Sequence, residues 1–473
     1  MINDSIQKWS FDKRLLFQFL FTTVLLSIPA LYNKYPLFVS DSGTYLVTLF
    51  DKRNVPMDRP FGYGFIMRFV SMKLSLWPII LFQNLIATIL IWKIIKRFFE
   101  VEKVIYIHMA VCSILLLASS LPWYSNQIMP DIFTPFIILI LYLFFTSVSN
   151  YKWFYMGILF FFVMTHFSNF PILIFSTGTI AALMYFFKIN TLKTTVLKSL
   201  VVCGVAIAGF VSICLQSYVN NQGFVFSHSS DVFLTGRLSE TGLLKTYLQD
   251  QCASAPSPLC RYTDSLSNSA ADFIWNDQSA LNKVSRTHFN GAQATGEEKW
   301  HYLNNEVCKP VVKDIFTTPK YLSRFLYYGI RESVIQFFQI NIGAGLSQYG
   351  YNSAPFWPIR DHVAAELPAF LSSEQNTRHL DFDLLNVINY VVLLLSVCIF
   401  WFACIQNQLS KELKVFCLFI VFSIYWNAFF TAALANVYDR LQARVTWLFV
   451  FAAILIAVKM IQLYRENKIS NVL

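Results

Sequence analysis

The chain has 473 residues, 56% of them hydrophobic and 14% charged, with a net charge of +10. A soluble protein of this length needs far more polar surface to cover its core, so lipid must surround much of the chain. The basic residues sit beside apolar runs rather than in one patch, so retention of positive charge in the cytoplasm explains the net charge more simply than nucleic acid does.

A helix needs roughly 20 residues to cross about 30 Å of hydrocarbon, and about ten runs approach that measure. In chain order they cover about 15–32, 74–95, 104–121 and 132–148, then a long stretch over 153–187, then 197–218, 384–405, 415–436 and 445–463. The 153–187 stretch is too long for one crossing. His166, Ser168, Asn169 and Pro171 sit at its middle, which predicts two helices joined by a turn, or a bent re-entrant pair. The sequence therefore predicts a polytopic α-helical membrane protein with about ten transmembrane helices.

Alternate connections carry the charge. Lys8, Lys13 and Arg14 precede the first run; Lys93, Lys96, Arg97 and Lys103 follow the second. Lys152, then Lys188, Lys193 and Lys198, then Lys411 and Lys414, then Lys459, Arg465 and Lys468 continue the same side. Both termini are thus expected in the cytoplasm. The first run lacks a small-residue cleavage site and reads as a retained anchor.

Three regions follow: a bundle over 1–218 whose first outer loop spans 33–73, an outer mixed, mainly helical domain over 219–383, and closing helices over 384–473. At about 165 residues the outer segment is long enough for a core of its own. Within it, 321–342 reads as an amphipathic helix, lying on the membrane or packing on the protein. Of nine cysteines, Cys252 and Cys260 bracket a turn-prone Ala-Ser-Ala-Pro-Ser-Pro-Leu stretch outside the runs, and an oxidising compartment would close them as a disulfide. Cys308 is left over, or pairs differently. Neither a second close cysteine pair nor clustered histidines accompany them, so no metal site is expected there.

The first outer loop reads Val39-Ser40-Asp41-Ser42-Gly43, then Asp58-Arg59-Pro60-Phe61-Gly62-Tyr63. A carboxylate just outside the bilayer can take a proton from an acceptor hydroxyl, and a nearby arginine can neutralise a phosphate leaving group. The plainer role for Asp41 is to cap the helix beginning near Gly43. Asp131, after Pro130 at the start of the fourth run, has the same two readings, since carboxylates entering a membrane are costly and need partners. His166 at the outer turn either binds phosphate or relays a proton, or is a hydrogen-bonded packing residue. Arg440 and Arg444 lie four apart and share one helical face at the outer boundary, either to hold a phosphate or to anchor the helix.

This pattern resembles the GT-C glycosyltransferases, multi-span enzymes that take sugars from polyprenyl- or dolichyl-linked donors. Asp41 corresponds to the family's acidic residue in the first outer loop. Arg59-Pro60-Phe61-Gly62-Tyr63 is similar to its Arg-Pro-Pro-Gly-Tyr segment, with Phe replacing the second Pro. Asp131 corresponds to its acidic residue at the fourth span, and Arg440 and Arg444 loosely to its basic residue near the last spans. The resemblance implies a GT-C-like fold, Asp41 as catalytic base, and substrate contacts from Arg59, Tyr63, Asp131, His166, Arg440 and Arg444. It implies a polyprenyl-phosphate sugar as donor and an extracytoplasmic glycan, lipid or protein as acceptor. The family's frequent acidic pair is absent, because Ser42 follows Asp41, and use of a divalent metal stays open. Alternatives are an O-antigen-type polymerase, a transporter or flippase, and an assembly protein. The Gly236-Arg237-Leu238 and Asp272-Phe273-Ile274-Trp275 stretches are similar to bacterial membrane proteins, which implies a bacterial inner membrane with the large loop in the periplasm.

Overall fold

The computed structural model describes residues 13–51, 56–147, 152–254, 256–291, 296–378 and 380–470. Lys8 and the side chain of Lys468, both part of the expected basic side, lie outside the described residues.

The described residues are mainly helical, with no strand beyond an isolated bridge. In order, the helices used below are α1 (Lys13–Leu26), α2 (Ser42–Phe50), α3 (Gly62–Ser71), α4 (Trp77–Phe98), α5 (Val101–Ala118), α6 (Phe133–Thr146), α7 (Lys152–Val163), α8 (Asn169–Phe186), α9 (Leu192–Val219), α10 (Ser230–Glu240), α11 (Ala270–Trp275), α12 (Pro319–Phe337), α13 (Asp383–Gln406), α14 (Lys411–Leu434) and α15 (Asp439–Ser470). Local signals set many of the ends. Pro78 opens α4, where its missing N–H costs nothing, and Lys96 and Arg97 close it against the helix dipole. Thr191 and Ser410 cap α9 and α14 by accepting from the backbone N–H three residues on.

Seven described helices are long and apolar enough to cross a membrane: α4, α5, α8, α9, α13, α14 and the 439–466 part of α15. The other three expected crossings are shorter helices, 14 residues each in α1 and α6 and 12 in α7. The shortening has local causes. α1 stops where the Ser27 hydroxyl bonds back to Thr23 O, and a separate short helix follows with Pro29 in its first turn. α6 begins only after a 3-10 turn at Pro130–Ile132. α7 ends at the turn around His166 that the sequence predicts.

Burial sorts the helices. Every residue of α6 is buried, so this run, apolar on all sides, is the central helix of the bundle rather than a lipid-facing one. α13, by contrast, exposes Leu384, Val391, Leu394, Trp401 and Ile405, a surface suited to lipid. At one end of the bundle Arg97 pairs with Glu412 at 3.4 Å, and Tyr142 Oη donates to Glu412 O. Lys198 donates to the carbonyls of Phe145 and Ser147 there, satisfying the end of α6. The opposite end gathers residues 33–41, 126–131, 164–168 and 436–444.

The 219–383 segment, read from the sequence as one outer domain, divides between two cores. Val232, Leu238, Leu244, Phe273, Leu281, Val311 and Tyr321 form a separate core, that of a helical subdomain over 230–321. Leu346, Phe356, Ile359 and Phe370 instead join the main core with Tyr35 and Phe38, and there Gln375 exchanges hydrogen bonds with both backbone groups of Phe38. Between the two, α12 lays Gly329 against Ala433 of α14, while Leu326, Tyr327, Ile330 and Val334 stay exposed. The buried Arg237 fastens α10 to this junction. Its Nε donates to Ala432 O at 2.6 Å, and its guanidinium meets Glu240 at 2.9 Å and Glu332 at 3.5 Å. Cys252 and Cys260 are joined as a disulfide, and Cys308 is buried and free.

Candidate functional site

Two loops at the 33–41 end are pinned together before any charged group is placed. Leu37 and Gln127 form an isolated parallel bridge, in which Leu37 N donates to Asn126 O and Ile128 N to Leu37 O, both at 2.9 Å. Buried amides from α4 hold the second loop: Gln83 donates to the carbonyls of Ser125 and Gln127, and Asn84 to Asn126 Oδ1 and Ser27 Oγ. Asn126 in turn donates to Leu26 O and Pro122 O. A buried polar network in which, of these three amides, Asn84 Oδ1 alone lacks a partner specifies one arrangement, because each further unpaired member would be costly. It fixes Asp41 and Asp131 a few residues downstream of the bridge.

Asp41 occupies the cap position of α2, but its side chain makes no capping bond. It lies between two arginines instead: Arg59 Nη2 is 3.0 Å from Oδ1, and Arg440 Nη2 is 2.9 Å from Oδ2. Arg59 also meets Asp58 at 3.3 Å, and its guanidinium stands 5.8 Å from the centre of the Phe233 ring. Arg440, in the first turn of α15, reaches on toward Asp131 with Nε 3.6 Å from Oδ2. That is too long for a hydrogen bond, and neither atom has another partner. One turn deeper, Arg444 Nη1 lies 2.9 Å from Asp131 Oδ1, and its remaining donors reach Asn427 Oδ1 and Ser168 Oγ. The result is a continuous ionic row, Asp58, Arg59, Asp41, Arg440, Asp131 and Arg444, with equal numbers of the two signs.

A cavity of about 520 Å³ opens over the shallow part of this row, bordered by Asp41, Asp58, Arg59, His166 and Arg440. Its other flank is apolar, with Phe170, Phe226, Phe430 and Leu434. The volume lies within the range of small-molecule sites. Burial by itself would raise the Asp41 carboxyl, but the Arg59 and Arg440 guanidiniums outweigh it and hold the group well below the usual carboxylate range.

Three expected substrate contacts take a different place. Tyr63 is fully buried; its hydroxyl donates to Gln83 Oε1 and its ring meets Tyr45 and Phe133. Asp131 and Arg444 are buried behind the cavity wall. None of the three borders the cavity; Tyr63 props α3 against α4 through Gln83, and Asp131 and Arg444 pair with each other beneath Arg440. Asp131 sits inside the 3-10 turn and makes no capping bond, so the capping role is absent as well. Sequence reasoning missed Asn427 and Ser168. Asn427, a polar residue inside the apolar α14, was the available signal, since such a group in a membrane helix needs a partner.

His166 borders the cavity, and its Nδ1 meets the Ser168 hydroxyl at 2.7 Å and accepts from Ser168 N. Burial, and after it the Arg444 charge, lowers the imidazole from its ordinary 6.5 to about 3. The unfolded chain therefore binds a proton here between about pH 6.5 and 3 that the folded chain does not, and His166 costs stability as pH falls through that window. From pH 7 to pH 4 the melting temperature should drop further in the wild type than in His166→Gln. Equal drops would show that the ring is not held in this way.

Among the described residues no group of three or more His, Cys, Asp and Glu side chains gathers as a metal site. Asp41 and Asp131 do not fit a shared divalent cation, since the Arg440 guanidinium lies between them.

The chain has no significant match to a family model, a curated protein or a solved structure.

Proposed function

We propose that the protein is a glycosyltransferase that moves a sugar from a polyprenyl-phosphate donor to an acceptor outside the cytoplasm, at a bacterial inner membrane. The observation that carries this reading is the convergence of Asp41, Arg59 and Arg440 on one cavity with an apolar flank. A carboxylate and two arginines beside an apolar groove suit a donor that is both anionic and lipidic. The isoprenoid chain lies along Phe170, Phe226 and Leu434, and its phosphate takes the guanidiniums of Arg59 and Arg440 through charge-assisted bonds. Asp41 is thereby released from its two partners as the donor enters, which raises its basicity at the moment a base is needed.

The acceptor hydroxyl then loses its proton to Asp41, its oxygen bonds to the anomeric carbon, and the carbon–phosphate oxygen bond breaks. The electron pair leaves with polyprenyl phosphate, and the anomeric centre inverts. Arg59 and Arg440 meet the charge that grows on the leaving group, the kind of preorganised stabilisation that contributes most to such reactions. The site lies at the helix ends, whereas transporter sites lie near mid-membrane on broken helices, which favours the enzyme over a flippase.

The test uses the purified full chain in lipid nanodiscs, given polyprenyl-phosphate sugars and an envelope fraction from cells lacking the protein. Sugar incorporation with equal release of polyprenyl phosphate is expected. A polymerase would add whole repeat units, which product length reveals. Movement of the carrier across a bilayer without release would end the transferase assignment.

A further inference from the structure

We infer that the helical subdomain carries a saccharide-binding ledge, formed by Phe233, Trp275 and Trp300, which receives the acceptor as a glycan. The inference rests on the transferase reading and names the acceptor class for the same cavity. Phe233 on α10 and Trp275 at the end of α11 both border the cavity. Trp300 ties them together. Its ring lies 6.1 Å from that of Phe233, nearly parallel at 11°, and 5.6 Å from that of Trp275 at 65°. Phe233 and Trp275 meet edge to face at 6.2 Å. Three mutually braced rings form a fixed surface rather than loose side chains.

Two features mark this surface as a binding face. Trp275 is 55% exposed, although its chain neighbours Phe273 and Ile274 are buried in the subdomain core at 0% and 6%. The helix thus points its core residues inward and leaves its largest apolar side chain open at the cavity. The ledge also joins the ionic row directly, because the Arg59 guanidinium stands over Phe233.

The chemistry selects a sugar over the isoprenoid tail. A pyranose ring has one C–H-rich face that lies on an indole and a rim of hydroxyls that needs polar partners. The ledge supplies the first, and Ser230, Asp58 and Arg59, which border the same cavity, supply the second. The tail is assigned to other residues bordering the cavity, the apolar Phe170, Phe226 and Leu434. An acceptor sugar on the ledge would present a hydroxyl toward Asp41.

The experiment is calorimetric titration of the nanodisc-embedded full chain with lipid-free glycan, released by mild acid from the envelope of the producing cell. The wild type should bind, Trp275→Ala should bind at least tenfold more weakly, and Trp275→Tyr should stay within threefold. Unchanged melting temperatures show that folding is intact. Titration with undecaprenyl phosphate should be unaffected by Trp275→Ala. Absence of glycan binding by the wild type, or equal binding by Trp275→Ala, overturns the ledge. So does a loss of undecaprenyl phosphate binding in Trp275→Ala, which would place the tail there. Glycan binding that depends on Trp275 without any sugar transfer leaves the ledge standing and removes the transferase reading. Transfer that is indifferent to Trp275 does the reverse.

Discussion

Asp41→Asn in the purified protein should lower kcat by about 10²–10⁴-fold, the usual contribution of a positioned general base, with folding unchanged and donor binding equal or tighter. The sign of the binding effect is the diagnostic part. In the free protein Asp41 occupies one nitrogen of Arg59 and one of Arg440 at 3.0 and 2.9 Å. An entering phosphate competes with it for both guanidiniums. Asparagine keeps the shape but not the charge, so the guanidiniums become better phosphate ligands while the proton acceptor is lost. A carboxylate serving only to brace the two arginines behaves differently: its loss would loosen the first loop, weaken donor binding and lower the melting temperature together. Rate, donor affinity by calorimetry and thermal unfolding therefore need to be measured on the same preparation. A fall in all three would reassign Asp41 as a brace.

Arg444→Met should destabilise the protein by about 3–5 kcal/mol, the range for removing one partner of a buried ion pair. Arg444 is fully buried, and its four donor contacts are to Asp131, Asn427 and Ser168. Methionine fills much of the volume but leaves Asp131 with only Arg440 Nε, 3.6 Å away. The cost is mainly an uncompensated carboxylate in a dry site, so adding Asp131→Asn should recover much of the loss. Denaturant unfolding of the wild type, the single variant and the double variant measures this. A double variant as unstable as the single one would show that packing, not charge, dominates at Arg444. The pair is expensive to bury, and replacing such pairs with apolar residues is often neutral or stabilising. Its place behind Arg440 instead suits a positioning role: Asp131 holds the guanidinium that faces the cavity.

The charged residues of the site were individually visible in the sequence, but their grouping was not. Asp41 and Arg440 lie 399 positions apart and Asp131 and Arg444 lie 313 apart, and no local pattern encodes such a pairing. The sequence did carry one condition that made it possible, the alternation of basic loops, which assigns all these residues to one end of the helices. It carried no sign that Tyr63 points inward, because an aromatic residue at a helix start reads the same whether it borders a cavity or a core. The amides Gln83, Asn84 and Asn126 were equally silent, since each looks like an isolated polar interruption until its partner is known.

Composition, run length and charge order by themselves point to a helical membrane chain, the residues around His166 to a turn or a bent re-entrant pair there, and the short spacing of Cys252 and Cys260 to a disulfide, with Cys308 left open as another partner. These are local properties: hydrophobic length, helix-breaking residues and loop size act within a few tens of residues. The burial of α6 on all sides and the division of 219–383 between two cores were decided by packing. So was the ionic row itself. A carboxylate in an apolar surrounding is tolerated only where guanidiniums from distant helices arrive to meet it, and only the folded chain determines which ones do.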